Sequence, residues 1–215
     1  MIKAFIFDLD GVIVDTAGYH YVAWKALAKQ LGFHFSNREN EKLKGVSREK
    51  SLEILLETGN IRLSEAEKTV LAEQKNTMYV GLISGMTPDE VLPGVVNFLK
   101  SSKMAGLKIG LGSASKNTPL ILMRTALSEF FDAVVDGNSV TQAKPDPEVF
   151  LKGAELLGVQ PCECVIFEDA KAGIDAAKKA GMKCIGVGDP RILNEADRVI
   201  SGFEGLTASA IIQMF

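Results

Sequence analysis

Short apolar runs alternate with amphipathic stretches along most of the chain. The apolar runs are rich in branched and aromatic side chains, a pattern that predicts buried strands. These runs cover residues 2–7, 107–112, 133–136, 164–167 and 183–187, with a candidate edge strand at 198–200. Apolar residues at helical spacing predict helices at 88–100, from 117 onward, at 147–157, at 172–180 and at 206–214. The order of these elements predicts an α/β fold, a doubly wound, Rossmann-like parallel sheet with helices on both faces.

A helical block interrupts this alternation directly after the first strand. Its amphipathic stretches cover residues 16–32, 47–59 and 64–82, and no convincing strand lies among them. The third stretch opens with the Ser and Glu spacing of a capping box. We therefore expect an all-helical cap inserted into the catalytic core. The expected domains are the core, residues 1–15 and 86–215, and the cap, residues 16–85.

The composition narrows the class of protein. The 215 residues are 47% hydrophobic and 24% charged, which is ordinary for a globular protein with ample core material. The net charge of −3 gives no general attraction to nucleic acid, and no apolar run approaches the roughly 20 residues of a membrane helix. Three cysteines without metal-ligand spacing predict reduced thiols. We expect a cytoplasmic monomer that binds neither nucleic acid nor membranes, since no apolar surface stripe demands a partner.

Two carboxylates end the first predicted strand. Asp8 and Asp10 follow the apolar run, and Gly11 allows the backbone to turn there. Unpaired carboxylates at the end of a buried strand are costly unless a cation or a reaction uses them. In open α/β sheets this end of the strands is where ligands bind. The alternative is that both aspartates are turn or helix-capping residues.

Three further polar clusters follow later predicted strands. They are Ser113-Ala114-Ser115, Lys144-Pro145 and Glu168-Asp169. Taken singly each is ordinary, because serines cap helices, a lysine before proline is often a loop cation, and acids offset a helix dipole. Loops after parallel strands meet at one edge of a sheet, so all the clusters are expected to converge. Magnesium-binding carboxylates, a nucleophile, an acid/base and a cation together suit phosphoryl transfer.

These motifs, in this order, resemble the four-motif signature of the haloacid dehalogenase superfamily of phosphotransferases. The resemblance spans residues 7–169 and implies that Asp8 is the nucleophile and Asp10 the acid/base. It implies that Ser113 and Lys144 bind the phosphoryl group. The implied Mg²⁺ ligands are Asp8, the backbone carbonyl of Asp10, Glu168 and Asp169.

The cap resembles one subgroup more closely, the phosphomutases that convert β-D-glucose 1-phosphate into glucose 6-phosphate. The resemblance implies that Thr16 and His20 act with the catalytic residues, His20 by coupling cap closure to the acid/base. It also implies a substrate-binding set. This set comprises Trp24, Gly45, Val46, Ser47, Arg48, Lys75, Ala114, Ser115, Lys116 and Asn117.

A mutase must bind a second phosphate away from the reacting one. Arg48 in the cap offers a bidentate grip on such a phosphate. Ser115, Lys116 and Asn117 add donors on the other side. The resemblance implies a small sugar phosphate as partner, and β-D-glucose 1,6-bisphosphate as the primer that first phosphorylates Asp8.

Two other functions fit part of the sequence. A phosphatase of small sugar phosphates would share the fold and the phosphoenzyme, with water replacing the sugar hydroxyl, and would need Arg48 less. A catalytically silent binding protein on this fold would normally lack Asp8, Asp10 or Lys144, and all three are present. The mutase is therefore the expected function, and the phosphatase is the alternative.

Overall fold

The computed structural model describes residues 1–215 and contains one sheet of six parallel strands. The strands are β1 Ala4–Phe7, β2 Lys108–Gly112, β3 Ala133–Val135, β4 Cys164–Glu168, β5 Lys183–Val187 and β6 Arg198–Ile200. Their order across the sheet is β3-β2-β1-β4-β5-β6, and every neighbouring pair is parallel. The expected fold class is confirmed, and the candidate edge strand is present as β6.

Nine α-helices accompany the sheet. Four follow β1 within residues 16–85: α1 Ala17–Gln30, α2 Asn37–Asn40, α3 Arg48–Thr58 and α4 Glu65–Ile83. The others are α5 Val95–Met104, α6 Thr118–Arg124, α7 Glu148–Leu157, α8 Lys171–Lys179 and α9 Ala208–Ile212. The elements between β1 and Pro88 are thus all helical, and we call residues 16–85 the cap. No helix combines the length and the apolar character needed to cross a membrane.

Successive side chains of the strands pack against two helical layers. Phe5 and Phe7 lie on one face with Phe98 of α5, whose ring centre is 5.8 Å from that of Phe5. Ile6 and Ile166 lie on the other face, in the apolar cluster formed with α7 and α8. A strand buried on both faces is apolar throughout, which is why the runs were visible in the sequence. The two layers fix the carboxyl ends of the strands, where the polar clusters lie.

The cap joins the sheet through two chain segments that run side by side. Val14 forms an antiparallel bridge with Val91, and the N–H of Asp15 donates to the carbonyl of Glu90 at 3.2 Å. The hydroxyl of Tyr19 in α1 donates to the Glu90 carboxylate. Nine buried apolar residues of the cap form a cluster of their own. The cap therefore packs largely on itself and contacts the sheet at its base.

The prediction of a helix at residues 88–100 is wrong about where the helix starts. Pro88–Glu90 form a short 3₁₀ turn, and α5 begins only after Gly94. Gly94 has a φ of +83°, and a Cβ there would lie 2.4 Å from the backbone of Phe203. The chain must pass this close to the C-terminal segment before the helix can begin. The short helix α2 is absent from the sequence-based prediction, and α9 is shorter than expected.

Candidate active site

At the carboxyl end of β1, a buried lysine joins two carboxylates. The N–H of Asp8 donates to the carbonyl of Phe167 at 2.9 Å, which places Asp8 beside Glu168 at the end of β4. The Nζ of Lys144 donates to Asp8 Oδ1 at 2.5 Å and to Glu168 Oε2 at 2.8 Å. Burial disfavours the charge of Lys144, but the two carboxylates outweigh this and raise its pKa. Lys144 is 3% exposed, so it is a buried counter-ion and not a solvated loop cation.

Three carboxylates, which we call the carboxylate cluster, have a geometry that fits a metal ion. Oxygen atoms of Asp8, Glu168 and Asp169 all lie within 4.8 Å of one another. Burial and then the charge of Asp8 raise the pKa values of Glu168 and Asp169 above their ordinary range. A divalent cation would relieve this repulsion, and an all-oxygen donor set is what Mg²⁺ prefers. The residues present therefore fit the magnesium ion expected from the sequence.

Asp10 lies with Thr16 and His20 where the cap begins. Thr16 Oγ1 donates to Asp10 Oδ1, and His20 Nε2 lies 4.0 Å from the same oxygen. Burial and then the neighbouring Asp8 raise the pKa of Asp10 to about 6. A carboxyl group that titrates near neutrality can both take and return a proton, as a general acid/base must. Thr16 is also the N-cap of α1, so the first turn of the cap contacts this carboxyl group directly.

The loop after β2 supplies hydroxyl and amide groups. Ser113 is fully buried, and its Oγ accepts from the N–H of Ser115 at 3.0 Å. The Oγ of Ser115 accepts from the N–H of Asn117 at 3.2 Å. The Nδ2 of Asn117 donates to Oδ1 of Asn76 in the cap at 3.0 Å. The loop therefore extends from the end of β2 to the cap.

The cap loop before α3 approaches the core closely. Gly45 has a φ of +72°, and a Cβ there would lie 2.8 Å from Cβ of Ala170. Lys44 Nζ lies 3.8 Å from Asp169 Oδ2. Arg48, the first residue of α3, is half-buried without an ion-pair partner, and burial lowers its pKa. An unpaired and partly desolvated guanidinium is well suited to bind a phosphate group.

Lys75 is a second buried cation, contributed by α4. Its Nζ lies 3.0 Å from His20 Nδ1, and 4.5 and 4.4 Å from the ring centres of Trp24 and Tyr79. Burial and then Arg48 lower the pKa of Lys75 to about 7. Burial, followed by Lys75 and Arg48, also lowers the pKa of His20. The aromatic faces favour the protonated form of Lys75, and an anionic substrate beside it would favour that form further.

These groups line one cavity of about 690 Å³ between the sheet and the cap. Every residue predicted for the site lines it except Glu168, including Val46, Ser47 and Ala114. Glu168 is fully buried and reaches the site through its hydrogen bond to Lys144. A cavity of this volume suits a small-molecule ligand.

Comparison with known proteins identifies the family. The family model for haloacid dehalogenase-like hydrolases matches residues 2–181. The chain belongs to this family. It is 47% identical to a β-phosphoglucomutase of Bacillus subtilis, over 95% of this chain and 92% of that protein. The crystal structure of a β-phosphoglucomutase from Clostridium difficile matches with a TM-score of 0.95 and 45% identity, over 100% of this chain and 97% of that one.

Relatives with hydrolytic activity also occur within the haloacid dehalogenase-like family. A fructose-1-phosphate phosphatase of Escherichia coli is 33% identical, over 85% of this chain and 94% of that protein. The superfamily resemblance inferred from the sequence motifs is confirmed by the family match. The family alone does not separate a mutase from a phosphatase, so the cavity must be considered as well.

Several lining residues of this haloacid dehalogenase-like site were missed from the sequence. Among them are Asn40, Tyr79, Gly137, Thr141 and Gln142. Tyr79 lies four residues after Lys75 in α4, and this spacing on one helix face is a signal that could have found it. Asn40 comes from the unexpected helix α2, and the other three lie in loops without a recognisable pattern.

Proposed function

We propose that the protein interconverts β-D-glucose 1-phosphate and glucose 6-phosphate as a β-phosphoglucomutase. The similarity to β-phosphoglucomutases of two organisms over nearly the whole chain supports this proposal. The observation that carries it is a single cavity with two places for a phosphate group. The core provides Asp8 with Lys144, and the cap provides the unpaired Arg48. A sugar bisphosphate intermediate requires both places, whereas hydrolysis of a small monophosphate requires one.

Asp8 is the proposed nucleophile. Its Oδ1 is held by Lys144 at 2.5 Å, so its carboxylate is oriented at the end of β1. Attack by this carboxylate on a phosphoryl group gives an aspartyl phosphate and divides one difficult transfer into two easier ones. Mg²⁺ bound by the carboxylate cluster and the carbonyl of Asp10 would offset the charge of the phosphoryl oxygens. Lys144 and Ser113 supply donors to the same oxygens.

Asp10 is the proposed acid/base. In the first transfer it accepts the proton of the sugar 6-hydroxyl, while that oxygen attacks the phosphorus held on Asp8. The sugar 1,6-bisphosphate then turns over in the cavity, and Asp8 attacks its 1-phosphate. Asp10 returns the proton to the departing 1-oxygen, which leaves glucose 6-phosphate and a phosphorylated Asp8. The pKa of about 6 for Asp10 suits both directions of proton transfer.

The phosphate that is not reacting is proposed to bind Arg48, Ser115 and Asn117. Both orientations of the bisphosphate place one phosphate at these residues, so the same contacts serve both transfers. We propose that β-D-glucose 1,6-bisphosphate acts as primer by phosphorylating Asp8 before the first turnover. All these residues line the one cavity.

We further propose that the protein has two domains. These are the core, residues 1–15 and 86–215, and the cap, residues 16–85, joined at the hinge beside Val14 and Val91. Closure of the cap would exclude water and so protect the aspartyl phosphate from hydrolysis. The hydrogen bond from Asn117 to Asn76 at 3.0 Å supports this, because it already connects the core to the cap.

One chain supplies every residue of the proposed site, so we propose that the enzyme works as a monomer. The three cysteines are free thiols, which suits the reducing conditions of the cytoplasm. The proposed partner is a small sugar phosphate.

Turnover of β-D-glucose 1-phosphate with magnesium and a trace of the 1,6-bisphosphate tests this function. Glucose 6-phosphate should appear well ahead of free phosphate and should depend on the bisphosphate. Arg48→Ala should slow its formation by about tenfold to 10²-fold, because a hydrogen-bonded charge is lost at the second phosphate. The exposed cap arginine Arg62 lies outside the cavity, and Arg62→Ala is expected to keep the wild-type rate.

Free phosphate alone would contradict the mutase. If the Arg48→Ala variant then kept most of that activity, the protein would be a sugar-phosphate phosphatase. The 33% identity to the fructose-1-phosphate phosphatase of Escherichia coli is the observation that favours this second candidate.

A further inference from the structure

Lys144 is delivered to the site by a loop, although its position is tightly defined. Residues 136–147, between β3 and α7, contain neither helix nor strand. The loop nevertheless places Lys144 Nζ at 2.5 Å from Asp8 Oδ1 and at 2.8 Å from Glu168 Oε2. Ordering a loop costs conformational entropy at every residue. Besides the two ion pairs of Lys144, contacts outside the cavity hold this segment in place.

Glu148, the first residue of α7, binds the middle of this loop. Its Oε2 accepts from the N–H of Thr141 at 2.9 Å, from Thr141 Oγ1 at 2.9 Å and from the N–H of Gln142 at 2.7 Å. Its Oε1 pairs with Lys152 Nζ at 2.7 Å, and that Nζ also donates to the carbonyl of Ser139 at 2.8 Å. Lys152 and then the N–H of Gln142 lower the pKa of Glu148 to about 2. The carboxylate is therefore charged throughout the neutral pH range.

Glu148 lies outside the cavity, so it can act on the reaction only through the loop and not by contact with substrate. Thr141 and Gln142 line the cavity, whereas Glu148 does not. Gln142 lies only two residues before Lys144 in the chain. On the other side of the lysine, Lys179 Nζ donates to the carbonyl of Pro145 at 2.9 Å. The loop is thus held on both sides of Lys144 by groups that do not touch the cavity.

We infer that Glu148 is a positioning residue for phosphoryl transfer. Together with Lys152 it clamps residues 139–142, so that the ammonium group of Lys144 stays between Asp8 and Glu168. The inference rests on the proposed function, in which Lys144 stabilises the phosphoryl oxygens. Small displacements of a group that stabilises charge in the transition state have large effects on rate.

Glu148→Gln tests the clamp, because it keeps the size of the side chain and removes its charge. The chain offers a matched control in Glu163, the residue directly before β4. The side chains of Glu148 and Glu163 are 18% and 19% exposed. Glu163 also pairs with a lysine, Lys3, at 2.6 Å and accepts a backbone N–H, from Gln160, at 3.0 Å. Glu163→Gln therefore makes the same chemical change at a lysine-paired, equally exposed glutamate away from the cavity.

We expect Glu148→Gln to lower kcat for glucose 6-phosphate formation by about tenfold to 10²-fold. KM should change by less than about threefold, because the second phosphate site remains intact. Glu163→Gln should leave both values near those of the wild type. Equal rates in the wild type and the Glu148→Gln variant would overturn the inference, as would equal losses in the two variants.

Acetylation of lysines by acetic anhydride, followed by mass spectrometry, provides a readout that does not need turnover. Lys144 and Lys75 are both 3% exposed in the wild-type protein. In the Glu148→Gln variant, Lys144 should react at least about fivefold faster while Lys75 is unchanged, because only the loop opens. Unchanged reactivity of Lys144, or faster reaction of both lysines, would overturn the clamp. If the wild-type enzyme fails to turn over β-D-glucose 1-phosphate, the proposed function fails and the acetylation result still decides on the clamp.

Discussion

Lys75 is a buried lysine whose nearest neighbours carry no negative charge. They are the imidazole of His20 and the rings of Trp24 and Tyr79, while Arg48 adds repulsion. The pKa falls from 10.5 to about 7, first because of burial and then because of Arg48. Between these two values the unfolded chain binds a proton at Lys75 that the folded protein largely lacks. The free energy of unfolding contributed by Lys75 therefore rises with pH from about 7 to 10.5.

Lys75→Met should remove this contribution. Between pH 7 and 9, the free energy of unfolding of the wild type should rise by about 2 kcal/mol more than that of the variant. Urea denaturation at the two pH values measures the difference. Lys25 is an exposed lysine on α1, and Lys25→Met should keep the wild-type pH dependence. Parallel curves for the wild type and Lys75→Met would contradict the lowered pKa.

Site residues could be predicted from the sequence where a local sequence pattern marks them. Asp8 was predicted because it ends an apolar run, and Lys144 because it belongs to an ordered series of polar clusters after strands. The sequence could not show that the Lys144 ammonium bridges two carboxylates, or that the pKa of Lys75 is shifted. Both properties depend on burial and on residues far away in the chain. Asn40 was missed for a similar reason, since a four-residue helix has no periodicity to detect.

At the scale of elements, strands were easier to predict than the starts of helices. A strand buried on both faces gives an apolar run with sharp ends, and β5 was predicted with its observed bounds. The start of α5 was predicted too early because Val91 and Leu92 continue the apolar spacing of the helix toward the N-terminus. The pair Pro93-Gly94 breaks the helix there, a local signal that the apolar spacing obscured, and the backbone of Gly94 also lies against Phe203. That contact is tertiary, and local periodicity carries no information about it.

Gly45 brings the cap loop against the segment after β4, and Gly45→Ala should disturb this approach. The added Cβ would lie 2.8 Å from Cβ of Ala170, in addition to the strain of a positive φ. We expect glucose 6-phosphate formation to fall by about tenfold, because the cap loop is displaced from its place in the site. Steady-state assays that follow glucose 6-phosphate and free phosphate together measure the effect.

Gly32→Ala is the matched control for this change. Gly32 has a φ of +88°, and a Cβ there would have no atom within 4 Å, so the variant carries the backbone strain without the clash. It should lower the free energy of unfolding by about 1 kcal/mol and leave the rate unchanged. Equal rates in the two glycine variants would contradict a requirement for close approach at Gly45.

At the scale of the whole molecule, the core supplies the proposed nucleophile and the cap supplies Arg48. Few polar contacts join the core and the cap at the edge of the cavity between them. They are the hydrogen bond of Asn117 to Asn76 at 3.0 Å and the ion pairs of Lys116 with Glu49 at 3.3 Å and of Lys44 with Asp169 at 3.8 Å. Ion pairs near solvent contribute little. So few contacts at this edge suit the proposed opening of the cap for each substrate. The sequence could not predict this arrangement, since each contact joins residues far apart in the chain.

The ratio of hydrolysis to transfer reports on closure, and Asn76→Ala should change it. Loss of the hydrogen bond to Asn117 removes about 0.5–1.5 kcal/mol from the closed state, so water should reach the aspartyl phosphate more often. We expect the ratio of free phosphate to glucose 6-phosphate, measured at saturating substrate, to rise by about two- to tenfold. Gln74→Ala is the control, because Gln74 bonds to Gln30 within the cap at 3.4 Å and should keep the wild-type ratio. An unchanged ratio in Asn76→Ala would show that this hydrogen bond does not contribute to closure, which would then depend on the cap loop at Gly45.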